Sequence, residues 1–276
     1  MSTARTRLEA VLQEIGSLAV AVSGGVDSLT LASVARRALG PEAMLAIHAR
    51  SPAVPAEATR RVRGRAAAGG WALRVIDAGE FADPAYLANP VNRCFYCKTN
   101  LYRAIRGVTD WPIASGANLD DLGEYRPGLT AARDHGVRHP YIEACVNKAA
   151  VRALARELGL GAIAELPAAP CLSSRVETGI PIEPETLHFV HTVERLVDAR
   201  LGPRHAGRAV RCRVRKTCMV IELDPLSLCA LDEPDRSGLQ QRIASEAPPG
   251  LAGLAVSFAP YRTGSAFLLT SAEGTR

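Results

Sequence analysis

Apolar residues in the first half of the chain occur in short runs that alternate with longer segments of helical spacing. Four runs have the composition of buried β-strands, and the segments between them end at glycine or proline. In order, these runs are LAVAVSG, AMLAIHAR, ALRVIDA and WPIASGAN. Strands that alternate with helices form βαβ units, so the pattern predicts an α/β fold with a parallel sheet and helices on both faces.

A further helix is predicted before the first strand. Its apolar residues follow a helical period and no small-residue cleavage pattern follows them, which is typical of a first helix and not of a signal peptide (Leu8, Val11, Leu12, Ile15, Leu18). No apolar run reaches the ~18 residues that a membrane-spanning helix requires. We therefore expect a cytoplasmic protein without a membrane partner.

The pattern changes after a segment rich in proline and glycine near residue 172. Beyond it the sequence predicts a long helix, a pair of strands in AVRCRVRKTCMVIEL, another helix and a last strand. We therefore expect two domains. Residues 1–172 would form the parallel-sheet domain, and residues 173–276 a smaller α+β domain that binds substrate or mediates oligomerisation.

Composition and charge narrow the class of ligand. Of the 276 residues, 47% are hydrophobic and 22% are charged, as in ordinary globular proteins. Lys and Arg number 33 against 28 Asp and Glu, and the net charge of +5 contains no basic block of the kind an RNA-binding arm carries. This mild excess suits a small anionic ligand, such as a nucleotide, as well as nucleic acid. Because there is no basic block, we expect no nucleic-acid partner.

The clearest candidate site is the loop between the first strand and the helix after it, Ser23-Gly24-Gly25-Val26-Asp27-Ser28. Backbone N–H groups and the helix dipole make such a helix N-terminus an anion site, and glycine lets the backbone approach the ligand. The loop has no Gly-Lys-Ser/Thr, so it is not a Walker P-loop. The alternative is a tight turn with a serine N-cap.

These six residues resemble the PP-loop of ATP pyrophosphatases, whose pattern is Ser-Gly-Gly-x-Asp-Ser. The resemblance implies that the first domain is an adenylation domain that cleaves ATP between its α- and β-phosphates. The loop would cradle the pyrophosphate, and Asp27 would help to hold Mg²⁺. The family places adenine at the ends of the next strands, here around residues 46–51.

The cysteines suggest metal or sulfur chemistry. Seven cysteines in a chain without a secretion signal argue against a disulfide framework. Cys94 and Cys97 form a Cys-x-x-Cys motif in a predicted loop. Such a motif can chelate a metal or act as a redox pair, or the spacing can be incidental. With Cys171 they could hold three irons of a 4Fe–4S cluster and leave the fourth iron free to carry sulfide. The other four have the pattern of small buried side chains (Cys145, Cys212, Cys218, Cys229).

Further segments make the resemblance more specific. GANLDDLGEYRPG, NRCFYCK and CLSSR, with VRCRVR, VIEL and YRTGS later in the chain, look like the LarE family of ATP-dependent sulfur transferases in nickel-pincer nucleotide cofactor biosynthesis. The resemblance covers nearly the whole chain. It implies that the carboxylates of pyridinium-3,5-biscarboxylic acid mononucleotide are adenylated and converted to thiocarboxylates, with release of pyrophosphate and AMP.

The same resemblance carries expectations about metals and assembly. It implies ATP, Mg²⁺ and a 4Fe–4S cluster, and it raises nickel as a further metal. Because the family tends to form higher homo-oligomers, we expect a homo-oligomer. Nothing in the sequence indicates the source of the sulfide.

Two sulfur-donor mechanisms occur in this family. One type sacrifices a single cysteine, which aligns with Pro170 here, and the other holds a cluster on three cysteines. The chain resembles the cluster type, with the Cys-x-x-Cys pair and Cys171 as ligands, although Cys171 as the sole sacrificial donor stays an alternative. Ser174 and Arg175 match the family's SSR segment, and Arg175 is expected to bind the substrate carboxylate or the adenylate phosphate.

The remaining candidates would bind substrate. Arg211 and Arg213 alternate on a predicted strand and share one face, which suits the phosphate of a mononucleotide or, alternatively, a solvated basic edge. Glu194 matches an acidic position of the family, and the resemblance implies that it lies near metal or substrate. The alternative is an exposed helix residue paired with Arg195 or with the neighbours of Asp198. Arg126 could contact substrate, be oriented by the preceding aspartates, or fix its own loop by bonding to carbonyls.

Three other functions fit part of the sequence. A PP-loop tRNA thiolase would use the same chemistry, but such proteins usually carry terminal zinc-finger cysteine pairs, which are absent here, and tRNA demands more positive charge. An amide-forming PP-loop ligase needs an ammonia source and lacks the three cysteines. A non-catalytic iron–sulfur or nickel carrier would bind nucleotide without releasing pyrophosphate.

Overall fold

The computed structural model describes residues 2–123, 125–205 and 208–267. Within them the chain forms two compact units. The first contains the residues up to Asp83 together with Asn92–Ala169, and the second contains Pro84–Val91 and the residues from Pro170 onward. No helix among the described residues is both long and apolar enough to cross a membrane.

Strands and helices alternate in the first part of the chain, and helices predominate between the fourth and the fifth strand. The strands are β1 (Leu18–Ala21), β2 (Met44–Ala49), β3 (Ala72–Ile76), β4 (Ile113–Ala114), β5 (Val210–Val214), β6 (Cys218–Leu223) and β7 (Ala255–Pro260). The helices are α1 (Thr3–Ile15), α2 (Val26–Leu39), α3 (Ala56–Gly69), α4 (Pro84–Leu87), α5 (Arg93–Arg106), α6 (Pro127–Asp134), α7 (Pro140–Glu143), α8 (Lys148–Glu157), α9 (Pro184–Leu201), α10 (Pro225–Ala230) and α11 (Glu233–Ser245).

The first unit is built on a parallel sheet with the strand order β3-β2-β1-β4. Strand β1 pairs on both sides, so that Val20 lies opposite Ala46 of β2 and Ala114 of β4. The chain therefore continues to one side of β1 through β2 and β3, and to the other side through β4. Ligands of open α/β sheets bind at such a switch point, beyond the carboxyl ends of the strands.

Side chains of the central strand alternate between two apolar cores. Leu18 and Val20 are buried in a core with α1, α2 and α8, whereas Ala19 lies in a second core with α5 and α6. Because successive strand residues point to opposite faces, the two cores lie on opposite sides of the sheet. The predicted α/β fold with a parallel sheet flanked by helices is confirmed.

The second unit contains a three-stranded sheet in the order β5-β6-β7. Strands β5 and β6 are antiparallel, and β6 and β7 are parallel. Helix α9 packs against β5, and α11 packs against β7. Fully buried side chains such as Val190, Val197 and Ile221 form its core. Strands and helices therefore both occur in this unit, and the smaller α+β domain of the sequence analysis stays a prediction.

A short early segment, Pro84–Val91, belongs to the second unit because it bonds to residues near 180. The side-chain amide of the buried Asn89 donates to the carbonyls of Glu177 (2.9 Å) and Ile180 (2.8 Å). The Ile182 amide donates to the Leu87 carbonyl (2.8 Å). The sequence analysis placed this segment in the first domain, whereas its contacts are with the second unit. The domain bounds 1–172 and 173–276 stay a prediction.

The loop that follows β1 is pressed against α3. Gly24 has a φ of 86°, and a Cβ built there would lie 2.8 Å from the carbonyl oxygen of Ala58. The Gly24 carbonyl in turn accepts a hydrogen bond from Arg61 Nε (3.1 Å). Only glycine combines this backbone conformation with so close an approach, so the residue type is fixed by geometry.

Replacing Gly24 with alanine should therefore destabilise the protein. The positive φ alone costs about 1–2 kcal/mol for a residue with a Cβ, and the contact with Ala58 adds to that cost. Gly64 is the matched control, because it lies within α3 with nothing near a built Cβ. Gly64→Ala should stabilise by up to about 1 kcal/mol. Urea unfolding would measure both, and equal stability of the two variants would contradict this account.

Candidate functional site

The loop between β1 and α2 is closed by its two serines. The Ser23 amide donates to Ser28 Oγ (3.1 Å), and the two hydroxyl oxygens lie 3.2 Å apart. Helix α2 begins after Gly25, and no side chain caps it there. The alternative of a serine N-cap is therefore wrong, and the first N–H groups of α2 can donate to an anion.

Asp27, in the first turn of α2, is contacted by three residues that follow β4 in the chain. Asn118 Nδ2 donates to Oδ1 (3.3 Å), and Lys148 Nζ forms an ion pair with Oδ2. The hydroxyl of Tyr141 donates to the Asp27 backbone carbonyl (3.0 Å). Burial raises the pKa of Tyr141, and the nearby Asp27 charge raises it further.

The loop after β4 supplies part of this contact. Gly116 lies so close to the start of α2 that a Cβ on it would be 2.9 Å from the Ser28 nitrogen. Asp121 pairs with Arg126 (2.9 Å), which agrees with the expectation that an aspartate orients this arginine. The proposed contact of Arg126 with substrate stays a prediction.

Sequence reasoning did not select Asn118, Tyr141 or Lys148. Each reaches Asp27 from a position more than 90 residues later in the chain. Strand order could have predicted this contact. A strand that pairs with β1 places the loop after its own carboxyl end beside residues 23–28. No local pattern marks Lys148, which looks like an ordinary first residue of a helix.

His48 on β2 connects the start of the loop to α3. The side chain is buried, with Nδ1 2.7 Å from the Val22 carbonyl and Nε2 2.9 Å from Thr59 Oγ1. Since a carbonyl only accepts, Nδ1 carries the proton and Nε2 accepts from Thr59 in the neutral ring. Burial lowers the pKa of His48, and the positive charge of Arg63 lowers it further.

A pocket of about 520 Å³ opens beside this connection, at the carboxyl ends of β2 and β3. Its lining includes Ser51 as a hydroxyl donor, Arg50 and Arg63 as cations, and Asp77 as an acceptor. The Thr59 hydroxyl also lines it, but its proton is donated to His48, so it can only accept from a ligand. The pocket overlaps the region around residues 46–51 where the sequence placed adenine.

The Cys-x-x-Cys motif lies in a helix and not in the predicted loop. Helix α5 begins at Arg93, so Cys94 and Cys97 occupy its first turns. Gly128, at the start of α6, approaches this turn so closely that a Cβ there would lie 3.1 Å from Lys98 Cγ. The loop prediction was wrong because it considered only the spacing of the two cysteines. Apolar residues later in the segment, such as Tyr102 and Ile105, pack in the core and hold the segment as a helix.

Cys171 belongs to the second unit and precedes the 3₁₀ turn Leu172–Arg175. In the part of the chain that the structure describes, no three His, Cys, Asp or Glu side chains form a group that could hold a metal ion. The cluster on Cys94, Cys97 and Cys171 stays a prediction.

The other cysteines only partly match the expectation of small buried side chains. Cys212 is fully buried, and burial raises the pKa of its thiol. Cys145 and Cys229 are exposed, contrary to that expectation. Cys145 follows the short helix α7 with a positive φ of 53°, so the turn there directs it away from the core.

Arg175 fixes the backbone on both sides of Cys171. Its Nη1 donates to the carbonyls of Pro170 (2.7 Å) and Cys171 (3.1 Å) and to Ser174 Oγ (3.0 Å). Its Nε and Nη2 donate to both carboxylate oxygens of Glu194 (2.9 and 3.1 Å). Little of this guanidinium is left to bind a ligand, so in this arrangement Arg175 positions the Cys171 segment.

Glu194 is accordingly not an exposed residue paired with Arg195. Its carboxylate is largely buried against Arg175 and also accepts the Cys212 amide (3.0 Å). The alternative was wrong because the partner of Glu194 lies 19 residues away in the chain and not in the adjacent helical turn.

Arg213 and Arg211 have different surroundings on β5. Arg213 is buried, pairs with Glu222 (2.9 Å) and donates to the Ser174 carbonyl (3.0 Å), so a solvated basic edge is wrong for it. Arg211 is half-buried, with its guanidinium 5.9 Å from the Tyr261 ring centre. Burial lowers the pKa of Arg211, and the charge of Arg175 adds to that shift. Phosphate binding by either arginine stays a prediction.

Comparison with known proteins finds relatives but no matching protein-family model. The uncharacterized protein slr1717 of Synechocystis sp. is 38% identical over 228 residues, which cover 80% of this chain and 82% of that protein. The uncharacterized protein MJ0830 of Methanocaldococcus jannaschii is 25% identical over 209 residues, 74% of this chain and 77% of that protein.

One relative has a named activity. The pyridinium-3,5-bisthiocarboxylic acid mononucleotide synthase of Lactiplantibacillus plantarum is 29% identical to this chain over 164 residues. The alignment covers 58% of this chain and 59% of the synthase. The two proteins thus share a long segment and not their whole lengths.

The buried His48 should make stability depend on pH. Its pKa is lower in the folded than in the unfolded protein, so the unfolded protein binds more protons near the ordinary histidine pKa of about 6.5. Stability should therefore fall as the pH drops from 7.5 to 5.5. His48→Gln should make this dependence shallower, whereas His188→Gln, at an exposed position of α9, should preserve it. Thermal unfolding across this range would measure the slopes, and parallel slopes would overturn the assignment.

Removing the Arg175 side chain should be costly. Arg175→Met leaves the Glu194 carboxylate without its buried cation, a change that costs about 3–5 kcal/mol. The control is Arg200→Met, which removes a surface pair with Asp235 and should cost less than about 1 kcal/mol. Denaturant titrations would compare them. A loss below about 1 kcal/mol in both variants would show that the Arg175 network is not structurally important.

Proposed function

Because the chain belongs to the same protein family as slr1717 of Synechocystis and shares a long segment with the Lactiplantibacillus synthase, we propose that it is an ATP-dependent sulfur transferase of the LarE type. Its substrate would be pyridinium-3,5-biscarboxylic acid mononucleotide. Each ring carboxylate would be adenylated and then converted to a thiocarboxylate, as in the biosynthesis of a nickel-pincer cofactor.

The observation that carries this proposal is the loop from Ser23 to Ser28. It lies at the carboxyl end of the central strand and leads into a helix whose N-terminus no side chain caps. Adenylation requires a site that stabilises the negative charge of departing pyrophosphate, and unsatisfied backbone N–H groups supply it. Gly24 and Gly25 keep that backbone free of side chains.

In the adenylation step, a carboxylate oxygen of the substrate bonds to the α-phosphorus of ATP, and the bond from that phosphorus to the bridging oxygen breaks. Pyrophosphate leaves toward the loop, and the acyl-adenylate remains. Asp27 suits Mg²⁺, because its carboxylate is a hard oxygen ligand and is partly exposed. Mg²⁺ held there would neutralise phosphate charge.

The pocket beside His48 supports a nucleoside site for the same ATP molecule. It lies at the ends of the two strands next to β1, and its hydroxyl and guanidinium donors can bond to a ribose or a base. His48 fixes both the loop and Thr59 of the pocket, so phosphate and nucleoside would be held relative to each other by one buried side chain.

In the sulfur-transfer step, sulfide bonds to the acyl carbon, and the bond from that carbon to the AMP oxygen breaks. The products are the thiocarboxylate and AMP. A 4Fe–4S cluster on Cys94, Cys97 and Cys171 would supply the sulfide. Two thiols in adjacent turns of α5 fit two ligands of such a cluster, and Cys171 would have to complete the set.

A second sulfur source is also supported by a specific contact. Arg175 and Ser174 hold the backbone around Cys171, which is how a single reacting thiol would be positioned. In that case the Cys171 thiolate would bond to the acyl carbon as AMP leaves. Loss of the Cα proton and cleavage of the Cβ–S bond would then release the thiocarboxylate and leave dehydroalanine. Arg211, Arg213, Glu194 and Arg126 are proposed near substrate in either case, with Arg213 and Glu194 acting through the ion pairs they form.

Turnover with ATP and the dicarboxylate tests the proposal. Purified under nitrogen and reconstituted with iron and sulfide, the protein should bind about four irons per chain and form AMP, pyrophosphate and the thiocarboxylate over several cycles. Asp27→Asn should lose adenylation by at least tenfold. Cys94→Ala, Cys97→Ala and Cys171→Ala should each lose cluster and sulfur transfer, whereas the exposed Cys229→Ala should retain both.

The outcomes separate the candidates. A single turnover with loss of one sulfur from Cys171, detected by mass spectrometry, would favour the sacrificial donor. Thiolation of tRNA in place of the mononucleotide would favour the tRNA thiolase. Binding of ATP without formation of AMP would exclude a sulfur transferase of this type.

A further inference from the structure

The cation that the PP-loop motif lacks is supplied by another part of the first unit. Residues 23–28 contain no lysine or arginine, whereas a Walker loop carries a lysine for the outer phosphates. In the folded chain Lys148 lies against Asp27, with Nζ bonded to Oδ2. An ammonium group thus stands beside the uncapped N-terminus of α2.

The position of Lys148 is specified by several contacts. Its backbone amide donates to Asp120 Oδ2 (3.0 Å), and Asn147 caps α8 immediately before it. Asp120 is held in turn by Asn118, which also donates to Asp27. These contacts fix the start of α8 beside the loop, and from there the Lys148 side chain reaches Asp27.

Helix stability does not explain the residue type. Lys148 is the first residue of α8, where a cation opposes the positive end of the helix dipole. A carboxylate or a neutral residue would suit that position better. The charge of Lys148 is therefore accounted for by the neighbouring loop and not by its own helix.

The ion pair is open enough to be exchanged. The side chains of Lys148 and Asp27 are 32% and 26% exposed, so water and ligand can reach both groups. Pairs of this exposure contribute little to stability, and ligand binding can therefore break them. Asp27 is also the residue proposed to hold Mg²⁺. Coordination of the metal would weaken its ion pair with Lys148, because both cations compete for the same carboxylate.

We propose that Lys148 binds the outer phosphates of ATP and takes the place of the Walker lysine. Without nucleotide it neutralises Asp27. When Mg²⁺ and ATP bind, the Asp27 carboxylate turns to the metal and the Lys148 ammonium to the β- or γ-phosphate. No covalent bond changes in this exchange. The inference rests on the proposed ATP-dependent function and names a phosphate-binding residue for it.

Nucleotide binding tests the inference, because AMP lacks the outer phosphates. Lys148→Gln should weaken binding of Mg-ATP and of Mg-pyrophosphate at least tenfold in calorimetry and leave AMP affinity within twofold. In turnover the KM for ATP should rise more than kcat falls. Lys148→Arg should recover part of the affinity. The exposed Lys216→Gln is the control and should behave as wild type.

Each other outcome overturns the inference in a recognisable way. Equal weakening of ATP, pyrophosphate and AMP would mean that Lys148 only supports the fold of the loop. Unchanged affinity for all three, in a wild-type protein that still forms AMP from ATP, would reject Lys148 and leave the proposed function standing. A wild-type protein that forms no AMP would reject both.

Discussion

The candidate site depends on the parallel pairing of β1 with β2 on one side and β4 on the other. Parallel strands end at the same edge of the sheet, so three loops from distant parts of the sequence meet there. The β2 side contributes His48 and the pocket, and the β4 side contributes the Asn118 loop and the start of α8. The four-residue strand β1 is short, yet its pairing with β2 and β4 brings His48 and the loop after β4 beside residues 23–28.

A different physical principle organises the second unit. Its buried charges are paired, as with Arg175 and Glu194 and with Arg213 and Glu222. Such pairs contribute little net stability compared with apolar residues of similar size, but each partner becomes indispensable once the other is buried. Arg175 donates to the Cys171 carbonyl and Arg213 to the Ser174 carbonyl, so the two buried cations fix the backbone at Cys171 and just after it.

Much of the fold could be predicted from local pattern. The alternation of β1 between two cores, the helix stop at Gly40 and the antiparallel pair of β5 and β6 are all properties of neighbouring residues. The PP-loop motif was visible for the same reason. Partners such as Lys148 for Asp27 and Glu194 for Arg175 were not visible, because side chains at these separations meet only after the sheet and helices have packed. The Cys-x-x-Cys helix was missed because the cysteines themselves carry no helical signal.

The segment Pro84–Val91 has a consequence for the order of folding. The chain leaves the first unit at Asp83, enters it again at Asn92 and leaves it finally after Ala169. During synthesis the Asn89 amide must remain without its native acceptors until Glu177 and Ile180 have been added, about ninety residues later. Such non-local contacts slow folding, and they tie completion of the second unit to a piece of chain made before the second part of the first unit. The two units therefore cannot be separated by a single cut between them, and any exchange of either unit between relatives would have to carry this segment with the second.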